Sequence, residues 1–362
     1  MPKKNNFPMR KIKEGSAEIS IPIEEKISKE LPVFYNPVMK LNRDISILLL
    51  RQFPPMNICD LLAGTGISAI RMAKELKCKS ITANDNNKRA FDLIKKNMEY
   101  NKAKFNVYNE DANLFLLNSK GFDYIDIDPF GSSNYFLDAA VKRISRDGIL
   151  AVTNTDTAAL TGTYPKTCIR KYWAVPKKDC MMHETGLRIL IRKIQLIGMQ
   201  YEKALVPIFS YYKDHYLRIF FKCIKGKKEC DKIAKQHGIL NDAGPLWLGA
   251  LWDSGLVNKM HSSLIKNPID EKTMKDKKIA DNNQNHNELL KFLNVIKDES
   301  KINVVGFYDI HAAAKGKSLG RLAKKEELIK KIRKKGLKAA STHFLGTGIR
   351  TDIGYKEFVK LV

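Results

Sequence analysis

The sequence predicts an α/β fold built on a mostly parallel, Rossmann-like sheet, with a second, smaller α+β domain behind it. Three observations carry that expectation. From Pro55 onward, short apolar runs alternate with stretches of helical spacing, a pattern that implies parallel strands covered by helices on both faces. The glycine turn Ala63-Gly64-Thr65-Gly66 follows the first of those runs and opens a helical stretch. Acidic residues then recur at the ends of successive strands, at Asp85, Asp111 and Asp128. In such sheets the functional loops lie at the carboxyl ends of the strands.

The elements follow in order. Residues 1–55 form an N-terminal segment, in which Met1 to Arg10 is basic and polar with no apolar run behind it, as in a mature chain rather than a signal peptide. Gly15 to Ile21 alternates like a strand or hairpin edge, and Leu41 to Gln52 has helical spacing. Within residues 56–225, strands are expected at Asn57–Leu61, Ser80–Ala83, Phe105–Tyr108, Phe122–Ile127 and Gly148–Thr153, with helices at Ile67–Leu76, Lys88–Tyr100 and Phe136–Ile144 between them. A helix at Arg188–Leu196 and two strands, Tyr201–Phe209 and Tyr216–Cys223, complete the sheet. The lysine-rich stretch Gly226–Gly238 marks a boundary, and residues 226–362 form the C-terminal domain. Asn267–Glu288 is charged, rich in Asn and poor in apolar residues, which suits a solvated linker or helix surface.

The formal net charge is +25, an excess that points to a polyanionic partner. Residues 301–362 alone carry 15 Lys and Arg against 5 Asp and Glu, so the nucleic acid is expected on the tail. Lys324, Lys325, Lys331, Arg333, Lys334 and Lys335 are the expected phosphate contacts. No apolar run reaches the roughly 18 residues of a membrane span. The six cysteines are scattered with no CxxC pair, which suits reduced thiols in a cytoplasmic protein. Cys223, Cys230 and His237 are too loosely spaced for a tetrahedral zinc site, so no metal is expected. No obligate protein partner is expected either, and the chain is read as a monomer.

The run Asp60 to Gly66 has the form of a ligand-binding turn. Its glycines let backbone approach a ligand, and the helix that follows offers free N–H groups. Asp85, at the end of the second strand, is placed to accept the two hydroxyls of a ribose. Asp111, or the backbone N–H of Ala112, is placed to read an adenine edge. So many acids at ligand-facing positions would repel a pyrophosphate but not a sulfonium cation. The pattern therefore favours S-adenosylmethionine over a dinucleotide. Arg43 and Arg71 are the candidate grips on that cofactor's carboxylate, through paired hydrogen bonds.

Asp126-Ile127-Asp128-Pro129-Phe130-Gly131 leaves a buried strand and enters a turn. This arrangement suits methylation of an exocyclic amine. Such a nitrogen is a poor nucleophile because its lone pair is delocalised into the ring. Asp128 and the Pro129 carbonyl can accept its two hydrogen bonds and localise the lone pair. Proline adds no N–H that could misorient the amine. Phe130 can stack on the base and face the developing positive charge. The same chemistry would serve adenine N6 in another nucleic acid. Cys168 offers a different mechanism, attack at C6 of a pyrimidine, but it follows Thr167 rather than proline and reads better as a buried thiol. A binding module that has lost catalysis is the remaining alternative, opposed by intact Asp85, Asp128 and Phe130.

Taken together, these runs resemble the tRNA guanine-26 N2-dimethyltransferases of archaea and eukaryotes. The matching residues begin with Phe34-Tyr35-Asn36-Pro37, Asn42-Arg43-Asp44, Asp60 to Gly66, Ile70-Arg71, Asn84-Asp85 and Asp111-Ala112. They continue with Asp126 to Gly131, Thr155-Asp156-Thr157, Cys168 to Tyr172, Gly244-Pro245-Leu246-Trp247, Thr342-His343-Phe344 and Gly348 to Asp352. The resemblance implies a class I S-adenosylmethionine methyltransferase domain and a C-terminal domain that helps hold tRNA. It also implies cofactor contacts at Arg43, Arg71, Asp85, Asp111 and Ala112, beside the Gly64 turn read above, and methyl transfer at Asp128, Pro129 and Phe130. Some relatives carry four cysteines before the Gly-Pro-Leu-Trp run; here only Cys223 and Cys230 remain.

Overall fold

The computed structural model describes residues 8–23, 32–266, 279–315 and 323–362. The chain divides into two compact units, one of Met1–Thr153 with Ser263–Leu289 and one of Asn154–Ser262 with Leu290–Val362.

In the first unit, β1 (Met9–Glu14) and β2 (Ala17–Pro22) pair as an antiparallel hairpin. Its turn is at Gly15, with φ +54°, where a Cβ would collide with the side chains of Arg71 and Glu75. Ala17, Ile19 and Ile21 alternate inward and pack on Ile67 and Ile70, as the period of two requires. Helix α1 (Lys40–Leu50) is buried from Leu41 to Leu50. The alternating elements then follow: β3 (Asn57–Asp60), α2 (Ile67–Glu75), β4 (Ser80–Asn84), α3 (Lys88–Tyr100), β5 (Asn106–Tyr108), α4 (Ala112–Asn118), β6 (Phe122–Ile127), α5 (Leu137–Arg143) and β7 (Ile144–Asn154), all close to their expected bounds except α4, which was not expected, and β7, which begins four residues early. The pairs β3·β4, β3·β6, β4·β5 and β6·β7 are all parallel. Helix α4 was not separated from its strand by periodicity; its N-cap, Asp111, accepts from the N–H groups of Asn113 and Leu114.

The second unit opens with α6 (Thr157–Leu160), α7 (Pro165–Tyr172) and α8 (Met182–Gln200). Helix α8 is about twice its expected length. Gly186 and Gly198 weaken the helical signal in the sequence, yet each permits a close approach. A Cβ on Gly186 would meet the Leu160 carbonyl at 3.0 Å, and one on Gly198 would meet the Lys203 carbonyl at 2.6 Å. The antiparallel hairpin β8 (Lys203–Lys213) and β9 (Tyr216–Lys225) follows. The main sheet has seven strands in the order β5-β4-β3-β6-β7-β9-β8.

The stretch expected to mark a boundary holds α9 (Lys227–Ala234) and the start of a small hairpin, β10 (His237–Leu240) with β11 (Ala243–Trp247). Next come α10 (Ser254–Lys266) and α11 (Ile279–Glu299). Of the polar run Asn267–Glu288, residues 267–278 lie outside the described residues, as do residues 1–7 of the basic N-terminus. The chain ends with β12 (Tyr308–Asp309), α12 (Ile310–Ala314), α13 (Lys325–Lys334), β13 (Ala339–Ser341), β14 (Gly348–Thr351) and α14 (Tyr355–Leu361). Leu328, Ile329 and Ile332 of α13 join Ile310, Ile349 and Phe358 in one apolar cluster, which leaves the lysines of α13 on its outer face. A buried ion network supports this unit, with Arg350 bonded to both Glu184 and Glu299. No described helix is long and apolar enough to cross a membrane.

Candidate active site

Strand order assembles the site. β3 lies between β4 and β6, with Asp60 in register with Ala83 on one side and Asp126 on the other. The chain winds outward from β3 through β4 to β5, then returns to start the other half at β6. Ligands bind in the crevice at such a reversal, beyond the carboxyl ends of the strands. Asp60, Asp85, Asp111 and Asp128 are therefore brought to one edge from four separate stretches of sequence.

The glycine turn is built as expected. Gly64 and Gly66 take φ +54° and +78°, a region costly for residues with a Cβ. A Cβ on Gly64 would lie 3.0 Å from the Phe34 carbonyl, and one on Gly66 would lie 3.0 Å from the Ile94 side chain. Gly64 N–H donates to Asp85 Oδ2 at 2.8 Å, and Asn87 N–H donates to Oδ1 at 2.9 Å. Burial raises the Asp85 carboxyl, and those two N–H groups oppose the shift. Asp60 is 5% exposed, and its Oδ2 has no hydrogen-bond partner among the described residues. Burial, followed by the charges of Asp126 and Asp128, pushes its carboxyl up to about 8. Asp126 accepts from the Tyr124 hydroxyl at 2.8 Å. Asp111 caps α4, and Ala112 is that helix's buried first residue.

Arg43 and Arg71 converge on one carboxylate that the sequence reading did not single out. Glu14, at the end of β1, accepts from Arg43 Nε and Nη2 at 2.6 Å each, from Arg71 Nη1 at 2.9 Å and from the Tyr35 hydroxyl at 3.0 Å. Arg71 also pairs with Asp44 at 2.7 Å and Glu75 at 2.9 Å. Burial alone would raise the Glu14 carboxyl, but Arg43 and Arg71 hold it down to about 2. The one local sign of this role is a single acid ending a basic strand just before a glycine turn.

Asp128 is half-buried and accepts from Asn42 Nδ2 at 3.3 Å. Pro129 is buried, whereas Phe130 is 46% exposed. Phe34 meets the Phe130 ring at 81° with centroids 4.1 Å apart. Asn42 and Phe34 join the site through tertiary packing alone, since 86 and 96 residues separate them from Asp128 and Phe130. Cys168 lies in the second unit, fully buried in α7. Burial and then Asp156 push its thiol up to about 12, which leaves it without the thiolate a nucleophile needs. His237 shares a hydrogen bond with Gln195 at 2.9 Å. Among the described residues, no group of His, Cys, Asp and Glu is arranged to hold a metal ion.

A parallel sheet in this order, with a glycine turn and acids at its carboxyl edge, defines a class I methyltransferase fold. The family model for N2,N2-dimethylguanosine tRNA methyltransferases matches residues 15–242 and 239–362. The chain belongs to that family. It is 36% identical over 377 residues to the tRNA (guanine(26)-N(2))-dimethyltransferase of Thermococcus kodakarensis, covering 94% of this chain and 95% of that one. It is 34% identical over 397 residues to the tRNA (guanine(26)-N(2)/guanine(27)-N(2))-dimethyltransferase of Aquifex aeolicus, covering 97% and 95%. The solved structure of Trm1 from Pyrococcus horikoshii with S-adenosyl-L-methionine matches with a TM-score of 0.85 at 33% identity, over 97% of this chain and 99% of that one.

Two expected outcomes follow from the buried carboxylates. Glu14→Ala strands the buried guanidinium of Arg43 and takes one of three carboxylates from Arg71, and it should lower stability by roughly 3–5 kcal/mol in urea denaturation at pH 7. The Glu14 contribution is present above about pH 4.5 and is lost as the pH falls towards 2. The stability gap to wild type should therefore close over that window, and a gap constant down to pH 2 would contradict the pairing. Asp60 has the opposite sign. Its protonated form contributes stability that is full below about pH 3.8 and lost as the pH rises through about 8. Asp60→Asn should therefore stabilise the ligand-free protein above pH 8 by on the order of a few kcal/mol, with little gain near pH 4. A pH-independent difference in melting temperature would overturn this.

Proposed function

We propose that this chain transfers methyl groups from S-adenosylmethionine to the exocyclic N2 of guanine 26 in tRNA. The observation that carries the reading is the position of Asp128-Pro129-Phe130, at the carboxyl end of β6 beside the glycine turn.

The residues at the strand ends fit the cofactor. Asp60 Oδ2 is a buried acceptor without a partner among the described residues, which suits a cationic ligand. The cradle at Gly64 keeps open the space a Cβ would take against the Phe34 carbonyl. Asp85, aligned by two backbone N–H groups, accepts the ribose hydroxyls. Asp111 and Ala112 would meet the adenine edge; to grip the carboxylate, Arg43 would have to give up a bond to Glu14, and buried Arg71 already spends its donors on Glu14, Asp44 and Glu75. When bound, the cofactor supplies an electrophilic methyl group on a sulfonium sulfur. The chain's own residues prepare the nucleophile. Asp128, oriented by Asn42, would accept an N–H from the guanine amine and take up the proton released as the N–C bond forms and the methyl–sulfur bond breaks. The Pro129 carbonyl accepts the second N–H. Phe130, its ring fixed by Phe34, stacks on the base. A monomethylated amine keeps one N–H, so the same groups serve a second transfer.

Residues 1–55 contribute to the cofactor site, 56–225 carry out transfer and 226–362 help hold tRNA. A monomeric state and a cytoplasmic location belong to the same proposal. On α13, Lys325, Arg333 and Lys335 engage protein acceptors, namely the Gly346 carbonyl, the Ala339 carbonyl and Glu357. Lys324, Lys331 and Lys334 are the better candidates for phosphate contact.

Nucleoside mass spectrometry on unmodified tRNA should show N2-methylguanosines with wild type. Asp128→Ala should cut the rate by roughly 10²–10⁴-fold while calorimetry still detects cofactor binding. No product from wild type with intact cofactor binding would sink the substrate assignment, and fragment mapping separates position 26 from 27. Changing Lys324, Lys331 and Lys334 to Gln should flatten the slope of log affinity against log salt by about 2, at roughly 0.7 per phosphate contact. An unchanged slope would remove them from the interface.

A further inference from the structure

Helix α7 presents its neighbours with an inverted surface. Lys166, Ile169, Arg170 and Trp173 fall at the i, i+3, i+4, i+7 spacing of one helix face, and all four are exposed. Ile169 is 47% and Trp173 49% exposed, and Tyr164, just before the helix, is 60% exposed. A solvated helix ordinarily turns its apolar residues inward; here the inward positions are taken by Cys168 and Tyr172. The helix is also anchored from within its own unit. The Tyr172 hydroxyl donates to Asp156 at 3.0 Å, and Lys171 pairs with the same carboxylate at 2.9 Å.

Trp173 itself is held in an unusual state. It ends α7 with φ 57° and ψ 38°, a left-handed conformation that glycine or asparagine ordinarily takes at this position. A bulky residue there is a strained backbone, and such strain collects at functional positions. The ring is fixed against α8, with Lys193 Nζ 2.8 Å from its centroid and Arg192 Nη1 donating to its carbonyl at 3.4 Å. Burial lowers the ammonium of Lys193 to about 8. Among the described residues, none of Lys166, Arg170, Arg192 and Lys193 has a carboxylate at ion-pair distance. The face therefore combines fixed aromatic area with unneutralised cations.

We infer that the outer face of α7 is a tRNA-contact surface, on which Trp173 stacks against an unpaired base while Lys166 and Arg170 meet the flanking phosphates. Aromatic side chains with adjacent cations bind unstacked nucleotides because every base offers a π-face and every linkage a negative charge. An apolar protein partner would leave the cations without counter-charges; RNA satisfies both features. The inference rests on the tRNA reading above and adds a contact surface outside the tail.

The protein's own fluorescence tests it. Trp247 and Trp252 are buried at 3% and 8% exposure, so the acrylamide-quenchable emission belongs to Trp173. Saturating tRNA should quench that emission and shield it from acrylamide. Trp173→Asn, which accepts the left-handed backbone but carries no ring, should weaken tRNA binding roughly 5- to 150-fold. Trp173→Tyr should restore most of the loss, and cofactor affinity should not change. Lys166→Gln with Arg170→Gln should flatten the salt slope by about 1.4, whereas Trp173→Asn should leave it as it is. Trp173 still open to acrylamide in the saturated complex would overturn the inference, as would tRNA affinity within twofold of wild type in a folded Trp173→Asn protein. If wild type methylates tRNA under those conditions, only this surface is lost and the proposed function stands. If wild type neither binds nor methylates tRNA, both fall.

Discussion

Glu14 is a carboxylate with almost no contact with water, enclosed by two guanidinium groups and a tyrosine hydroxyl. Such a group persists inside a protein only when its partners meet it with good geometry. Satisfying it requires β1, α1 and α2 to come together, since they supply Glu14, Arg43 and Arg71 respectively. Helix α2 begins directly after the glycine turn, so the position of the turn depends on the same bonds. Gly15 is part of this constraint, because any side chain there would collide with Arg71 and Glu75. An N-terminal hairpin remote in sequence thereby helps to set the backbone that lines the crevice.

The carboxyl edge of the sheet is held in an electrostatically unfavourable arrangement. Asp60, Asp126 and Asp128 repel one another, and Asp60 responds by favouring its protonated form. A fold selected for stability alone would not gather buried carboxylates in this way. Perturbed ionisation of this kind clusters where a ligand or a reaction makes use of it. A cationic cofactor bound at this edge would relieve the repulsion, and the cost of the arrangement would then count towards affinity for the sulfonium.

Beyond the crevice, exposed charge is not uniform in kind. On α13, the apolar face is buried and part of the basic face is engaged with carbonyl and carboxylate oxygens. On α7, cations share the exposed face with tryptophan and isoleucine. The first arrangement can track a phosphate backbone, whereas the second can also hold a base. Composition reports the total of +25 but does not distinguish these two surfaces.

Much of the fold was legible because its signals are local. The alternation of short apolar runs with helical spacing located β3 to β7 and, α4 apart, the helices between them, since a parallel sheet buries both faces and so marks each strand. The glycines at 64 and 66 and the acids at strand ends were legible for the same reason. Asp128-Pro129-Phe130 suggested amine methylation by residue type, and the ordered runs from Phe34 to Asp352 announced the family. What the sequence alone could not determine is which distant groups complete these motifs. The full length of α8 was hidden because its glycines make sense only against Leu160 and Lys203. The choice of Glu14 as the partner of Arg43 and Arg71, of Asn42 for Asp128 and of Phe34 for Phe130 was made by tertiary packing. Those pairings depend on burial, which removes water as the competing partner, and burial is a property of the assembled chain rather than of any local stretch.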